Sequence, residues 1–273
     1  MKNTANNVPA VMVFAGLDPT GGAGIQADIE AISTMGCHCL PIITALTVQN
    51  TEKVQRFKDV DPMMLIEQAR TVLEDIPVAA FKMGMPGSVK NIEAIHSLLI
   101  DYPEPAFILD PVLAGGGGGK LTDEDCIDAM VELLLPETTI LTPNSNEARL
   151  LAPEADSLDA CAQELMDYGC EYILITGSHE STPQVENTLY GNKRRLETFQ
   201  WERLPHSYHG SGCTLAASIA AMMAHGLDPF MAAHEAQEYT WQTLKHGFRP
   251  GMGQHLPARF FWARGEDEEV TSS

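Results

Sequence analysis

Cysteine is scarce in this sequence, and its spacing excludes two common uses of the residue. Six cysteines are spread over 273 residues, which is too few for the disulfide framework of a small secreted domain. Cys37 and Cys39 are separated by a single residue, a spacing that does not match a zinc knuckle. We therefore expect a reduced, cytoplasmic protein that has no structural zinc site of this kind.

Positive charge is also scarce. The chain has 17 Lys and Arg residues against 37 Asp and Glu residues, which gives a formal net charge of −20. This balance argues against nucleic acid as a partner, because nucleic-acid phosphates bind basic surfaces. The sequence has no apolar run near the ~18 residues of a membrane span, and residues 1–7 lack the apolar region of a signal peptide. We expect neither a nucleic-acid partner nor a membrane partner.

Short apolar runs that indicate strands alternate with segments of helical periodicity. The predicted strands are residues 11–14, 40–46, 78–81, 106–109, 139–141 and 172–175. The predicted helices are a segment that carries Ile25, Ile29 and Ile32, followed by residues 61–75, 89–100, 123–135, 211–225 and 228–246, with a β-ribbon at 180–204. This order indicates an α/β fold with a mostly parallel central sheet and helices on both faces. We expect residues 1–273 to form a single domain.

Several predicted strands are followed by polar residues. In a parallel sheet the carboxyl ends of the strands lie at one edge, where ligands bind. We therefore expect these side chains to converge on one site: Asp18, Asp110, Asn144, Glu147 and Thr176.

Two glycine patterns resemble nucleotide-binding motifs but lack the required context. Residues 22–27 fit a dinucleotide fingerprint, yet Asp18, Pro19 and Thr20 intervene between the preceding strand and the glycines, and no acidic residue follows at the distance that a ribose contact requires. Residues 115–120 resemble a P-loop, but Leu121 stands where Ser or Thr would hold Mg²⁺. We interpret residues 115–119 as a flexible segment next to a ligand, with a plain linker as the alternative.

A glycine-containing turn leads into the apolar helix near the end of the chain. Gly210 and Gly212 let the backbone turn sharply, so that N–H groups can approach a ligand. The first turn of the helix adds unpaired N–H donors and partial positive charge, which suits a phosphate. The same field should lower the pKa of the Cys213 thiol. The alternative is a tight helix start that contains a buried structural cysteine.

Four stretches in this order resemble the hydroxymethylpyrimidine/phosphomethylpyrimidine kinases of thiamine biosynthesis, which have the ribokinase-like fold. The stretches are residues 18–28, 43–51, 141–147 and 209–215, with shorter matches at 82–85 and 110–112. The resemblance extends from about residue 11 to 262. It implies ATP-dependent phosphorylation of 4-amino-5-hydroxymethyl-2-methylpyrimidine and of its monophosphate, with Mg²⁺ as the metal, in a cytoplasmic homodimer.

The resemblance also assigns roles to residues. It places the pyrimidine against Gly16, Asp28, Gln49, Met85 and Val112. It assigns the anion hole to Gly210, Ser211, Gly212 and Cys213, with the Cys213 side chain as the catalytic base. It places the metal near Asp110 and Glu147, and the nucleotide near Asn144, Thr176, Gly177 and Lys120.

The chain departs from the usual family pattern at two positions that should face ATP. Thr176 replaces a Lys that many members carry, and the five glycines at 115–119 replace a Ser-Gly segment that often carries a Lys. Two other functions remain open at this stage. One is a pyridoxal or pyridoxine kinase, and the other is a non-catalytic ligand-binding protein with the kinase fold.

Overall fold

The computed structural model describes residues 8–115 and 121–263. Its strands are β1 (Ala10–Leu17), β2 (His38–Gln49), β3 (Val54–Asp59), β4 (Ala80–Met83), β5 (Ala106–Leu109), β6 (Ile140–Leu141), β7 (Tyr172–Ile175), β8 (Gln184–Gly191) and β9 (Arg194–Glu202). Its α-helices are α1 (Gly24–Thr34), α2 (Pro62–Leu73), α3 (Val89–Asp101), α4 (Glu124–Ala129), α5 (Ser145–Leu151), α6 (Leu158–Asp167), α7 (Ser211–Ala224) and α8 (Pro229–Lys245).

The strands form one nine-stranded sheet in the order β3-β2-β1-β4-β5-β6-β7-β8-β9. The pairs from β2 to β7 are parallel, whereas β3 and the β8–β9 ribbon pair in antiparallel fashion at the two edges. Strand order reverses between β1 and β4, since the chain moves from β1 to β2 on one side and returns to β4 on the other. Ligands of open parallel sheets bind in the crevice at such a reversal, next to the carboxyl ends of the strands.

The alternation of side chains along β1 separates two apolar cores. Met12 and Phe14 face the core that contains α2, α3, α4 and α6. Val11, Val13 and Ala15 face the core that contains α1, α7 and α8. All five of these side chains are buried, which explains why β1 is a continuous apolar run. The predicted mostly parallel sheet with helices on both faces is confirmed.

Most predicted elements are present, and helix caps explain several of the boundaries. The Asp61 side chain accepts hydrogen bonds from the first turn of α2, whose first residue is Pro62. Predicted helix 123–135 begins at the Asp123 cap, but it continues beyond α4 as a π-helical turn (Met130–Leu134) and a 3₁₀ turn (Leu135–Glu137). The predicted ribbon is also present, and its turn contains Asn192 and Lys193, both with positive φ.

Four elements differ from the sequence-based expectation. The strand predicted to stop at residue 46 continues to Gln49 and then turns into the edge strand β3, which was not predicted. Strand β3 is largely exposed, so it lacks the apolar alternation that marks a half-buried strand. Helices α5 and α6 were also not predicted, although Asn144 and Ser157 cap them. No helix within residues 8–115 and 121–263 has both the length and the apolar character needed to cross a bilayer.

Candidate active site

The loop after β1 is held by the carboxylate of Asp18. This carboxylate accepts hydrogen bonds from the backbone N–H groups of Thr20 (2.8 Å) and Ala23 (2.9 Å), and it lies 2.8 Å from Nε2 of His209. Burial acts to raise the Asp18 pKa, but the bonds to His209 and Thr20 outweigh it and lower the pKa below its usual value. Asp18 therefore connects the loop after β1 to the turn that precedes α7.

Two glycines allow these segments to pack backbone against backbone. Gly210 has φ of +84°, and a Cβ added there would lie 1.9 Å from the carbonyl oxygen of Gly22. Gly24 has φ of +57°, and a Cβ there would lie 2.1 Å from the carbonyl oxygen of Gly16. Any larger residue at either position would separate the loop after β1 from its neighbours. This explains why both sequence motifs are rich in glycine.

Helix α7 begins at this contact without a side-chain cap. Its N-cap residue is Gly210, which supplies no side-chain oxygen to the N–H groups of the first turn; that turn contains Ser211, Gly212 and Cys213. A Cβ built on Gly212 would lie 3.7 Å from Oδ1 of Asp110, which places that carboxyl next to the same turn. The first turn of α7 thus combines open N–H donors with an adjacent carboxyl group.

The environment of Cys213 corrects one expectation. The thiol is buried, and burial together with the charge of Asp110 raises its pKa to about 12, although Lys82 and the Gly24 backbone oppose this. The predicted lowering of the Cys213 pKa is therefore wrong for the protein alone. The helix N-terminus acts on the thiol as expected, but the tertiary fold adds desolvation and two nearby carboxyl groups, and these effects are larger.

Asp110 and Glu147 have the properties of carboxyl groups that would bind a cation. Oδ2 of Asp110 is buried without a hydrogen-bond partner among the described residues. Burial raises the Asp110 pKa to about 6, and burial together with the charge of Asp110 raises the Glu147 pKa to about 8. Within the described ranges, no cluster of three or more His, Cys, Asp or Glu side chains could by itself enclose a metal ion. The pair therefore fits a cation whose other ligands come from phosphate or water.

Lys82 and Asp28 form an ion pair beneath the site. The Lys82 Nζ atom lies 3.0 Å from each carboxylate oxygen of Asp28, and neither side chain is exposed. Burial alone would lower the Lys82 pKa, but the charges of Asp28, Cys213 and Asp110 raise it well above its usual value. Burial acts in the opposite sense on Asp28 and raises its pKa. We favour the ionised pair because both oxygens are within hydrogen-bond distance of the ammonium group.

This pair changes the interpretation of Asp28. The resemblance predicted that Asp28 accepts a hydrogen bond from the pyrimidine amine. Its carboxylate is fully buried, and both of its oxygens contact Lys82. The predicted contact of Asp28 with the pyrimidine amine stays a prediction. The observed contact of Asp28 is with the ammonium group of Lys82, which lies 2.9 Å from where a Gly84 Cβ would be.

Three other residues that were predicted to contact the pyrimidine lie near Gly84. A Cβ on Gly16 would be 3.2 Å from the Met85 sulfur, and one on Gly84 would be 3.8 Å from Cγ2 of Val112. Gln49 lies at the end of β2, where its amide donates to the Thr47 hydroxyl at 2.9 Å. Gly16, Met85 and Val112 thus lie close to Gly84, whereas Gln49 is at the carboxyl end of β2, where it pairs with Val54 of β3.

The predicted nucleotide residues lie at the ends of β6 and β7. Oδ1 of Asn144 accepts from the N–H groups of Asn146 and Glu147, both at 3.0 Å, and so caps α5. Thr176 forms an isolated β-bridge with Asn144, and a Cβ on Gly177 would lie 2.2 Å from the Glu186 carbonyl oxygen. These residues are adjacent, as expected.

Two of the predictions concern the glycine-rich segment after β5. Lys120 and residues 116–119 lie outside the described residues, so the predicted nucleotide contact of Lys120 and the predicted flexible segment remain predictions.

Three charged or polar residues in or beside the site received no role from the sequence. Lys82 could have been recognised from the sequence, because a lysine inside the apolar strand β4 requires a buried partner. His209 was part of a recognised stretch, but its contact with Asp18 spans 191 positions of the chain. Arg259 had no motif around it, although it is a single cation among apolar neighbours.

Comparison with known proteins identifies the family. The family model described as phosphomethylpyrimidine kinase matches residues 18–258. This chain belongs to that family. A hydroxymethylpyrimidine/phosphomethylpyrimidine kinase from Synechococcus elongatus is 35% identical over 260 residues, which cover 93% of this chain and 98% of that protein.

Solved structures of two vitamin kinases share the fold. A phosphomethylpyrimidine kinase from Clostridium difficile is 28% identical with a TM-score of 0.75, and the match covers 87% of this chain and 100% of that chain. A Bacillus subtilis pyridoxal kinase, solved as an ADP complex, is 25% identical with a TM-score of 0.85, and the match covers 95% of this chain and 100% of that chain. The predicted ribokinase-like fold and the kinase assignment to the phosphomethylpyrimidine kinase family are confirmed.

Proposed function

We propose that this protein transfers the γ-phosphoryl group of ATP to the hydroxymethyl oxygen of 4-amino-5-hydroxymethyl-2-methylpyrimidine. A second transfer to the resulting monophosphate would yield the diphosphate used in thiamine biosynthesis. Membership of the phosphomethylpyrimidine kinase family supports the reaction type. The observation that carries the proposal is the position of Asp110 beside the first turn of α7, which has no side-chain cap.

The first turn of α7 is suited to hold the phosphoryl group. The backbone N–H groups of residues 211–213 would donate to its oxygens, in the manner of an oxyanion hole. Phosphoryl transfer depends mainly on such positioning and on charge neutralisation. Because the Gly210 and Gly24 backbones are packed against neighbouring backbone, this donor set is formed before a ligand arrives.

Asp110 and Glu147 are the residues that would hold Mg²⁺ with the nucleotide. When bound, Mg²⁺ would neutralise phosphate charge and polarise the transferred group. The unpaired Oδ2 of Asp110 and the raised pKa of Glu147 support this assignment. Neutralising Asp110 also removes one of the charges that raise the Cys213 pKa. The base would be the Cys213 thiolate: the thiol would first release its own proton to water, and the thiolate would then accept the proton of the substrate hydroxyl.

The acceptor is proposed to bind against Gly16, Met85 and Val112. Gln49 at the open end of β2 can both donate to and accept from the aminopyrimidine edge. Lys82 would not contact the substrate, because its ammonium group is fully buried under Gly84. Instead, it would supply positive potential beneath the reacting oxygen.

Pyridoxal phosphorylation is the second candidate activity. The observation that favours it is the fold match to the Bacillus subtilis pyridoxal kinase. Both candidate acceptors have a hydroxymethyl group on a nitrogen heterocycle, so the fold does not separate them. The residue that we propose separates them is Gln49, whose amide can both donate to and accept from the edge of the ring.

Steady-state kinetics with three acceptors test the proposal: the pyrimidine alcohol, its monophosphate and pyridoxal. We expect the highest kcat/KM for the two pyrimidines. Gln49→Leu should cost about 1–3 kcal/mol of transition-state binding, which lowers kcat/KM for the pyrimidine alcohol, and it should leave the KM for ATP unchanged. Gln200→Leu, on the exposed strand β9, is the matched control. A higher kcat/KM for pyridoxal would replace the proposal, and no turnover of any acceptor would favour a binding protein.

A cytoplasmic homodimer is the remaining part of the proposal. All six cysteines are free thiols in the structure, which supports a reducing compartment. Light scattering at several protein concentrations tests the dimer, and a mass of one chain throughout would rule it out.

A further inference from the structure

Arg259 is a buried cation whose position lies just beyond the family match. The match ends at residue 258, and Arg259 is only 2% exposed. Its backbone is anchored to α8, because its carbonyl oxygen accepts from the Tyr239 hydroxyl at 2.9 Å. The N–H of the preceding residue, Ala258, also donates to the Thr243 carbonyl at 2.9 Å. The segment after α8 thus delivers the guanidinium group to a fixed place.

The guanidinium group contacts both the loop after β1 and the first turn of α7, which carries the proposed anion hole. It donates to the carbonyl oxygen of Gly21 at 3.3 Å and to that of Gly22, both in the loop after β1. Its Nε donates to the Thr214 hydroxyl in the first turn of α7 at 2.9 Å. A fourth contact pairs it with the Glu30 carboxylate at 3.0 Å, on α1. Three segments of the chain therefore meet on one side chain.

These acceptors are the atoms that fix the geometry of the turn. The Gly22 carbonyl oxygen is the atom that a Cβ on Gly210 would approach to 1.9 Å. The Thr214 hydroxyl in turn donates to the Gly210 carbonyl at 2.8 Å. Arg259 thus reaches Gly210 from two directions, through Gly22 and through Thr214. A shift of the guanidinium group would be transmitted to the backbone at residues 210–213.

A purely structural ion pair would not need this arrangement. Burying a charge is costly, and a salt bridge to Glu30 alone gives weak net stability. The planar fork of arginine has five N–H donors and can hold several acceptors in a fixed geometry, whereas lysine provides a single point charge. Here the additional donors are used on carbonyl and hydroxyl oxygens of the site-forming loops.

We propose that Arg259 is a positioning residue for phosphoryl transfer. Its guanidinium group holds the Gly21–Gly22 turn against the first turn of α7, so that the N–H groups of residues 211–213 remain aimed at the transferred group. The role rests on the proposed function, because it concerns the rate of that reaction. Arg259 does not touch the substrate and is not a catalytic residue.

The kinetic test compares Arg259→Lys and Arg259→Met with Arg249→Met. Arg249 is the matched control, because it is exposed and, among residues 8–115 and 121–263, its side chain donates to the nearby carbonyl oxygens of Met252 and Gly253. We expect the Arg259 variants to lose about 100-fold in kcat, as misplacement of about 1 Å can cause, with little change in KM for the pyrimidine alcohol. Arg259→Lys keeps a partner for Glu30 and should fold. Wild-type kcat in Arg259→Lys would overturn the proposal.

Chemical rescue separates positioning from general stability. Arg259 lines a cleft of about 500 Å³ together with Thr20, Glu30, Phe248 and Phe260, which gives a small cation access to its place. Guanidinium chloride at millimolar concentration should restore part of the kcat of Arg259→Ala and have no effect on Arg249→Met. If Arg259→Ala does not fold, the Arg259→Lys comparison alone decides the question.

Hydrogen exchange makes the inference independent of turnover. Amides of residues 209–214 should exchange at least 10-fold faster in Arg259→Lys than in the wild-type protein or Arg249→Met. This holds even if the wild-type protein phosphorylates none of the three acceptors, in which case only the proposed reaction fails. Unchanged exchange at residues 209–214 would contradict the inference, whatever the activity.

Discussion

The acceptor side and the nucleotide side of the site are built differently. On the proposed acceptor side, carboxylates in contact with basic side chains hold separate segments together: Asp18 with His209, Asp28 with Lys82, and Glu30 with Arg259. At the ends of β6 and β7, the contacts are with backbone N–H groups: Asn144 and Glu147 form the capping box of α5, and the Gly177 N–H donates to Asn187. We infer that the proposed acceptor side is held by charge-assisted contacts within the protein, whereas the proposed nucleotide side would depend more on the metal that comes with ATP.

Removing the Cys213 thiol should have the largest effect of these changes, and the quantity affected should be kcat. Cys213→Ala removes the group next to Asp110 that is proposed to take the hydroxyl proton, and a general base contributes about 10²–10⁴-fold to rate. We expect a loss of this size in kcat with little change in KM. Steady-state ADP release measures both constants. Cys161→Ala, a buried thiol on α6, is the control, and wild-type kcat in Cys213→Ala would dismiss the base role.

Breaking the ion pair below the site should affect stability. Lys82→Met leaves the fully buried Asp28 carboxylate without its partner, which costs about 3–5 kcal/mol of unfolding free energy. Urea denaturation measures this quantity. Lys193→Met is the matched control, since its pair with Asp167 is exposed and should contribute less than about 1 kcal/mol. Equal losses in the two variants would show that the buried pair is not special.

Glu147 should make the stability of the folded protein depend on pH. Its pKa is raised to about 8 by burial and by Asp110, so the folded protein holds a proton that the unfolded chain releases near pH 4.5. Stability from this group is therefore present at low pH and decreases as pH rises toward 8.

Without Mg²⁺, the wild-type protein should lose unfolding free energy as the pH rises from 5 to 8, and Glu147→Gln should not. The difference in unfolding free energy between the two proteins should therefore change by roughly 2–4 kcal/mol over this range, in favour of Glu147→Gln. Denaturation at the two pH values tests this, with Glu164→Gln on α6 as the control. Parallel pH profiles of the wild-type protein and Glu147→Gln would show that Glu147 does not carry this cost.

Adding a cation on the proposed nucleotide side should have the smallest effect of these changes, and the quantity affected should be the KM for ATP. Thr176→Lys places an ammonium group at the end of β7, where charged donors bind phosphate more strongly than a hydroxyl does. We expect a several-fold lower KM for ATP and a weaker dependence on free Mg²⁺. The melting temperature is measured on the same variant. An unchanged KM with a lower melting temperature would mean that Thr176 is a strand residue rather than a phosphate contact.

The sequence predicted those parts of the molecule that depend on local patterns. Apolar alternation and caps identified most strands and helices, and the glycine motifs placed the turn before α7. The edge strand β3 was missed because its exposed residues carry no burial pattern. The sign of the Cys213 pKa shift was wrong because a local helix field is predictable, whereas burial beside Asp110 is a property of the tertiary fold.

Contacts between distant segments could not be predicted from one sequence. The Lys82–Asp28 pair spans 54 positions, and the Arg259–Gly21 contact spans 238. A lone charge in an apolar segment indicates that a partner exists, but it does not indicate which residue that partner is. The single domain and the roles of the individual site residues remain predictions.

Phosphorus NMR of the reaction products tests the central claim most directly. The full-length protein is incubated with ATP, Mg²⁺ and 4-amino-5-hydroxymethyl-2-methylpyrimidine, and a parallel sample contains pyridoxal. We predict that the pyrimidine monophosphate appears first, that the diphosphate follows, and that ADP accumulates with both. Unchanged pyrimidine alongside complete conversion of pyridoxal to its phosphate would contradict the account.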